Sequence, residues 1–274
     1  MPRFLFGLPI LLVGLLVGCS TLPATETGEL DHRHIEYAQI GHGSPVVVFE
    51  NGLGASMHSW NKVFPEIGKQ TTVFAYNRPG YGRSDPAPTP RDGAHVVDEL
   101  RALLRSRDLP PPYVLVGHSL GGLYMQLFAR QYPDEVAGLV LVDSTHPTQM
   151  EGAGNIERQP WWARIFFHLF VTGELRREFD AAMPTGQEVL HLPTVTGKPV
   201  VVLSAIDTST SDAVKHANKK RADIANLYPG SRQLWVKSGH FIQWDRPEVV
   251  VDAIRSILEH ASRSSAQITE RPDK

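Results

Sequence analysis

Val114-Leu115-Val116-Gly117-His118-Ser119-Leu120-Gly121-Gly122 decides how this chain is read. A short, largely β-branched apolar run stops at a glycine, a serine follows two residues later, and two more glycines come next. Leu123, Tyr124, Leu127 and Phe128 then recur at helical spacing, so the stretch predicts strand, sharp turn and helix. A side chain carried on so tight a turn is held in strained backbone, and its neighbours must lack a Cβ for the two backbones to pass. Ser119 is therefore expected to project its hydroxyl from the top of a sheet as a nucleophile. An ordinary glycine-rich turn carries the same short pattern, so the surrounding chain has to supply the rest of the argument.

On the N-terminal side, Pro45 opens Val46-Val47-Val48-Phe49-Glu50, apolar without alternation until its last residue, as expected for a strand covered on both faces. It runs into the glycine-rich turn Asn51-Gly52-Leu53-Gly54. Thr72 to Tyr76 is a further buried strand, followed by Asn77-Arg78-Pro79-Gly80-Tyr81-Gly82-Arg83-Ser84-Asp85. There glycine and proline dictate a path and no base is offered, and Arg78 and Arg83 read either as partners of carboxylates or, the favoured reading, as exposed charges. Val96, Val97, Leu100, Leu103 and Leu104 mark one helical face.

On the C-terminal side, Val136 to Asp143 is the next strand. From Ser144 to Lys198 the pattern breaks into Gly, Pro and Thr among Trp161, Trp162, Phe166, Phe167, Leu169 and Phe170. Pro199 to Ser204 resumes the sheet, a helix covers about 212 to 227, and Gln233 to Val236 is a short strand before Ser238-Gly239-His240-Phe241. A closing helix carries Val249, Val250, Ala253, Ile254, Ile257 and Leu258 on one face.

In Gly117-His118-Ser119-Leu120-Gly121, Gly80-Tyr81-Gly82-Arg83-Ser84 and Gly239-His240-Phe241 the chain resembles the α/β-hydrolase family, from about Ile35 to about Leu258. The resemblance implies an α/β fold: a mostly parallel central sheet flanked by helices, with an inserted helical cap. Core would occupy 34–143 and 199–262, with the cap at 144–198. It also implies a loop after the first central strand that supplies one oxyanion N–H, usually within His-Gly-x. Here the triplet is Asn51-Gly52-Leu53, so the donor by position is the Leu53 amide, paired with that of Leu120. The cap aromatics are expected to cover Ser119 or to pack the cap onto the body.

A serine nucleophile needs a base at neutral pH, and imidazole suits the task. His240 is the candidate, with His118 and His146 as rivals among 12 histidines. The third member must accept the other ring N–H, and two carboxylates qualify. Asp207 keeps the chain order most frequent in the family; Asp143 ends the preceding strand, where some members carry their acid. Both stay open, with Asp212 as an outside third. The reading implies hydrolysis of a small-molecule carboxylic ester through an acyl-enzyme. Amide or prolyl-peptide cleavage and perhydrolysis use the same residues, and a low-turnover envelope binding protein is the alternative from another class. Epoxide hydrolases and dehalogenases need a carboxylate where Ser119 stands.

A chain of 274 residues, 42% hydrophobic and 20% charged, has the composition and length for one sizeable core. A net charge of −2 offers no basic stripe for nucleic acid. No cofactor or metal is implied, since no Cys or His cluster has zinc spacing, and a monomer is expected. Phe4 to Gly18 is an uninterrupted run of apolar, glycine and proline residues, too short to span a bilayer as a helix and suited to a secretory signal over 1–18. Leu16-Val17-Gly18-Cys19 resembles a bacterial lipobox, which implies export across the inner membrane, lipidation at Cys19 (the one cysteine) and anchoring to the cell-envelope membrane. Residues 19–33 read as a flexible tether and 263–274 as a disordered tail.

Overall fold

The computed structural model describes residues 22–208 and 212–269. Its strands are β1 (Thr25–Leu30), β2 (Arg33–Ile40), β3 (Val46–Glu50), β4 (Val73–Tyr76), β5 (Tyr113–His118), β6 (Val136–Val142), β7 (Val200–Ala205) and β8 (Arg232–Val236). They form one sheet in the order β1-β2-β4-β3-β5-β6-β7-β8. Pairing is antiparallel from β1 through β2 to β4 and parallel from there to β8. The helices among the described residues are α1 (Phe64–Gly68), α2 (Gly93–Ser106), α3 (Leu120–Gln131), α4 (Trp161–Phe170), α5 (Gly173–His191), α6 (Asp212–Ile224), α7 (Ile242–Asp245) and α8 (Pro247–Thr269).

The unalternating strands are buried on both sides, as their composition requires. Val48, Leu115, Leu139 and Val202 face a core built with α2, α3 and α5, in which Leu100, Leu127, Phe128 and Val189 pack. Val47, Val116, Val140 and Leu203 face the second core with Trp60, Phe64, Ile67, Val250 and Ile254 of the segments around α1 and α8. After β3 the chain forms β4 on one side of it, whereas β5 pairs on the other. Such a reversal opens a crevice at the carboxyl ends of the strands, where ligands bind in open α/β sheets. The loop after β3 and the turn after β5 meet there.

Between β6 and β7 the chain forms α4 and α5. The buried Ala182, Thr185 and Val189 seat α5 on the body, and Thr185 Oγ1 accepts from the Gly93 N–H at the start of α2 at 2.9 Å. α4 is attached more lightly: Phe167 is buried and its ring lies 4.5 Å from that of Phe179. On the opposite side Trp161, Trp162, Ile165 and Leu169 share an arc of roughly 100° at helical spacing, and all four are at least half exposed.

Two boundaries differ from the sequence reading. Thr25–Leu30, expected within the tether, pairs with β2 along its whole length. It is an edge strand of polar, half-exposed side chains, held by its backbone ladder and not by an apolar pattern. The last helix, α8, runs through Thr269, into the expected tail. The signal sequence over 1–18 and Cys19 lie outside the described residues.

Candidate active site

Ser119 stands between β5 and α3 with φ 53° and ψ −122°, a region that L-residues rarely occupy. Such a conformation costs on the order of 1–3 kcal/mol and persists only where its surroundings over-determine it. Here the Ser119 N–H donates to the Val142 carbonyl at 3.2 Å, and its carbonyl accepts from the N–H groups of Gly122 and Thr145, each at 2.9 Å. The turn also needs glycine behind it. A Cβ on Gly121 would lie 2.4 Å from the Asn51 carbonyl oxygen, so only glycine lets the loop after β3 cross the first turn of α3.

His240 follows β8, and its Nδ1–H donates to Asp143 Oδ2 at 2.6 Å. Asp143 directly follows β6, with φ 40° and an almost fully buried carboxylate. Its Oδ1 accepts from the Ala205 N–H at 3.0 Å and from Arg221 Nε at 2.7 Å, and Oδ2 also accepts from Arg221 Nη2 at 2.8 Å. Burial opposes its charge, but the hydrogen bonds from His240 and Arg221 hold its pKa well below the usual carboxylate range. Of the two expected acids, then, Asp143 is the one brought to the imidazole. Asp207 lies two residues past β7, where its carbonyl accepts from Asn218 Nδ2 at 2.8 Å and its charge acts on Arg221. The side chain of Asp212 is outside the described residues.

The rival histidines are held elsewhere. His118 is buried, its Nε2–H donates to the His240 carbonyl at 3.0 Å, and the two rings lie 4.6 Å apart. Burial, with the neighbouring His240, pushes its pKa down to about 3 and keeps it neutral, so it braces the His240 loop. His146 points Nε2 at Asp223, 3.4 Å away, and burial pushes its pKa down to about 4.

The Leu53 amide lies in the loop after β3, and the Leu120 amide opens α3, where the first N–H groups of a helix lack intrahelical acceptors. Among the described residues neither has a hydrogen-bond partner. Arg78, read from sequence as exposed, is 1% exposed and lies under this loop, facing Glu50 and Glu178. Burial disfavours its charge, but Glu178 and Glu50 keep it ionised. Arg83 does sit at the surface, on Glu36. Sequence reasoning missed Arg221, Glu50 and Glu178. A buried strand ending in a glutamate gave a local signal for Glu50, and nothing local marked the other two.

Among the described residues no group of three or more His, Cys, Asp or Glu side chains is placed to hold a metal ion, and no helix is long and apolar enough to cross a membrane.

The model of the alpha/beta hydrolase fold family matches residues 45–183. The uncharacterized protein YqjL of Bacillus subtilis is 34% identical over 103 residues, 38% of this chain and 41% of that protein, so the chain spans less than half of it. A thermophilic esterase from Thermogutta terrifontis aligns over 86% of this chain and 97% of its own, with a TM-score of 0.62 and 23% identity. The epoxide hydrolase CorEH aligns over 86% and 98%, with a TM-score of 0.59 and 19% identity. At these identities the two structures share a fold with this chain, and their different chemistries leave the reaction to be argued from the residues.

Proposed function

The chain belongs to the alpha/beta hydrolase fold family, and from that premise we propose that it is a serine hydrolase cleaving a small-molecule carboxylic ester through an acyl-enzyme. The observation that carries the reading is the 2.6 Å hydrogen bond from His240 to the buried Asp143, whose chain neighbour Val142 accepts from the N–H of the strained Ser119 at the strand-to-helix turn. With Nδ1–H on Asp143, the imidazole keeps Nε2 free of a proton and able to take one. Ser119 Oγ attacks the carbonyl as its proton passes to His240 Nε2, and the amides of Leu53 and Leu120 receive the oxyanion. The tetrahedral intermediate collapses, His240 returns the proton to the departing alkoxide, and water repeats the sequence to free the acid. Asp143 stays ionised and steadies the imidazolium. Ser119 also argues against epoxide opening, which in this family uses a carboxylate at that position.

The test is a fluorophosphonate label followed by p-nitrophenyl esters of graded chain length, run beside aminoacyl-arylamides. The reading expects the label on Ser119, its loss in Ser119→Ala with the fold intact, and burst acylation followed by steady ester turnover. A label on another residue, or near-normal turnover by Ser119→Ala, removes it. Faster arylamide cleavage would reassign the bond, and a protected but non-turning site would make the protein a binder.

We also infer export and lipid anchoring from Phe4 to Gly18 and Cys19. Cys19→Ser is expected to release the protein from membranes or stall its processing, and the intact mass of membrane-extracted protein checks it. A mature chain that begins elsewhere without lipid overturns this inference.

A further inference from the structure

The guanidinium of Arg78 has five N–H donors, and each has an acceptor. Nε and one Nη2 proton donate to Glu178 at 2.7 and 2.8 Å, and one Nη1 proton donates to Glu50 at 2.6 Å. The remaining two go to backbone carbonyls, Asn51 at 2.7 Å and Gly52 at 3.0 Å. The Gly52 carbonyl belongs to the same peptide unit as the Leu53 N–H. That unit is planar and trans, so its carbonyl and N–H point in opposite directions. A guanidinium that fixes the carbonyl therefore aims the Leu53 N–H the other way. The same bond polarises the peptide in a buried setting, which strengthens its N–H as a donor.

The loop lies against the nucleophile. A Cβ on Gly52 would stand 3.2 Å from Ser119 Cβ and 2.9 Å from His118 Nδ1. Glu178 lies on α5, in the segment inserted between β6 and β7, and is completely buried. Its Oε2 also accepts from the Tyr81 hydroxyl at 3.0 Å. A helix of the inserted segment thus grips the residue that sets the loop.

We propose that Arg78 is a positioning residue for the oxyanion amide of Leu53, and that Glu178 makes this positioning depend on α5 being seated. This rests on Ser119 acting as the nucleophile. Removing an oxyanion donor outright costs about 10²–10³ in rate, so displacing one by loosening its anchor is expected to cost about 10- to 100-fold. The loss should fall on kcat, because the amide acts on charge that develops only in the transition state.

The experiment uses the chain with Glu178→Gln, which preserves shape and removes the charge, and with Arg78→Lys, which cannot make the forked contact. Sites are first counted by fluorophosphonate titration. Then kcat per titrated site, KM for a p-nitrophenyl ester and affinity for an alkyl trifluoromethyl ketone, whose serine adduct carries an oxyanion, are measured. Expected are a kcat per site lowered about 10- to 100-fold, KM within about twofold, and ketone affinity falling in step with kcat/KM. Tyr81→Phe deletes a hydroxyl that donates to Glu178 and also meets the Gly54 N–H of the loop itself; it should move the same readouts less and in the same direction, and an unchanged kcat per site in it overturns the proposal if the charge variants do not fold. A purely structural role would lower the number of titratable sites and leave kcat per site alone, and that result overturns the proposal. Failure of the unaltered protein to label at Ser119 is a different outcome, which removes the nucleophile reading and this inference with it.

Discussion

One carboxylate in this protein answers to a backbone N–H, an arginine and the imidazole at once. With the Ala205 amide, Arg221 and His240 all donating to it, Asp143 stays charged across any practical assay range. Its stabilising contribution is present above the unfolded value near 3.8 and is lost only as pH falls towards its lower folded value. Asp143→Asn is expected to cost on the order of 10⁴ in kcat, since the amide turns N–H groups towards Arg221 and the ring and disfavours the productive tautomer. Asp207→Asn should stay near the parent rate, and steady-state kinetics of the pair would reverse the assignment if the losses were exchanged. Residue type alone could not separate the two, because both follow strand ends; what separates them is Arg221, 78 residues beyond Asp143. Arg78 was hidden in the same way, its partner Glu178 lying 100 residues on. A charge looks solvated in sequence until its distant counter-charge is placed.

The two helices between β6 and β7 differ in how firmly they are held. α5 is seated by a buried ion pair and apolar packing, whereas α4 rests on Phe167 and leaves Trp161, Trp162, Ile165 and Leu169 exposed. Ile165→Ser and Leu169→Ser should therefore change unfolding free energy by no more than about 0.5 kcal/mol. Phe167→Ala should cost about 3 kcal/mol, and urea denaturation distinguishes the cases. Equal effects would mean that α4 buries a different face. The central strands were legible because their apolar runs carry the energy of both cores. β1 was not, since its backbone bonds leave no mark on hydropathy.

At the scale of the whole molecule, two buried histidines make stability depend on pH. The unfolded chain takes up a proton on each below about pH 6.5, whereas the folded protein resists until about 3 at His118 and about 4 at His146. The unfolded state binds more protons in that window, so stability falls as pH drops through it, by on the order of 1 kcal/mol per pH unit for His118 once below 6.5. Urea midpoints at pH 7.5 and 5.0 should show the loss, and His118→Asn should flatten it; a midpoint indifferent to pH contradicts the burial argument. The family and the strand-turn-helix that carries Ser119 were legible because those elements are local, whereas the meeting of His240 with Asp143 depends on loops closed across the sheet. The uneven anchoring of α4 and α5 has a further consequence for descent and for design. Mutations can accumulate on the exposed arc of α4, at Trp161, Trp162, Ile165 and Leu169, while Thr145, which holds the Ser119 carbonyl, and the stretch around Glu178 are kept nearly constant by the bonds they make. Under the proposed function, new substrate preferences should be most safely engineered by exchanging the exposed residues of α4 while α5 and its buried Glu178 are left untouched.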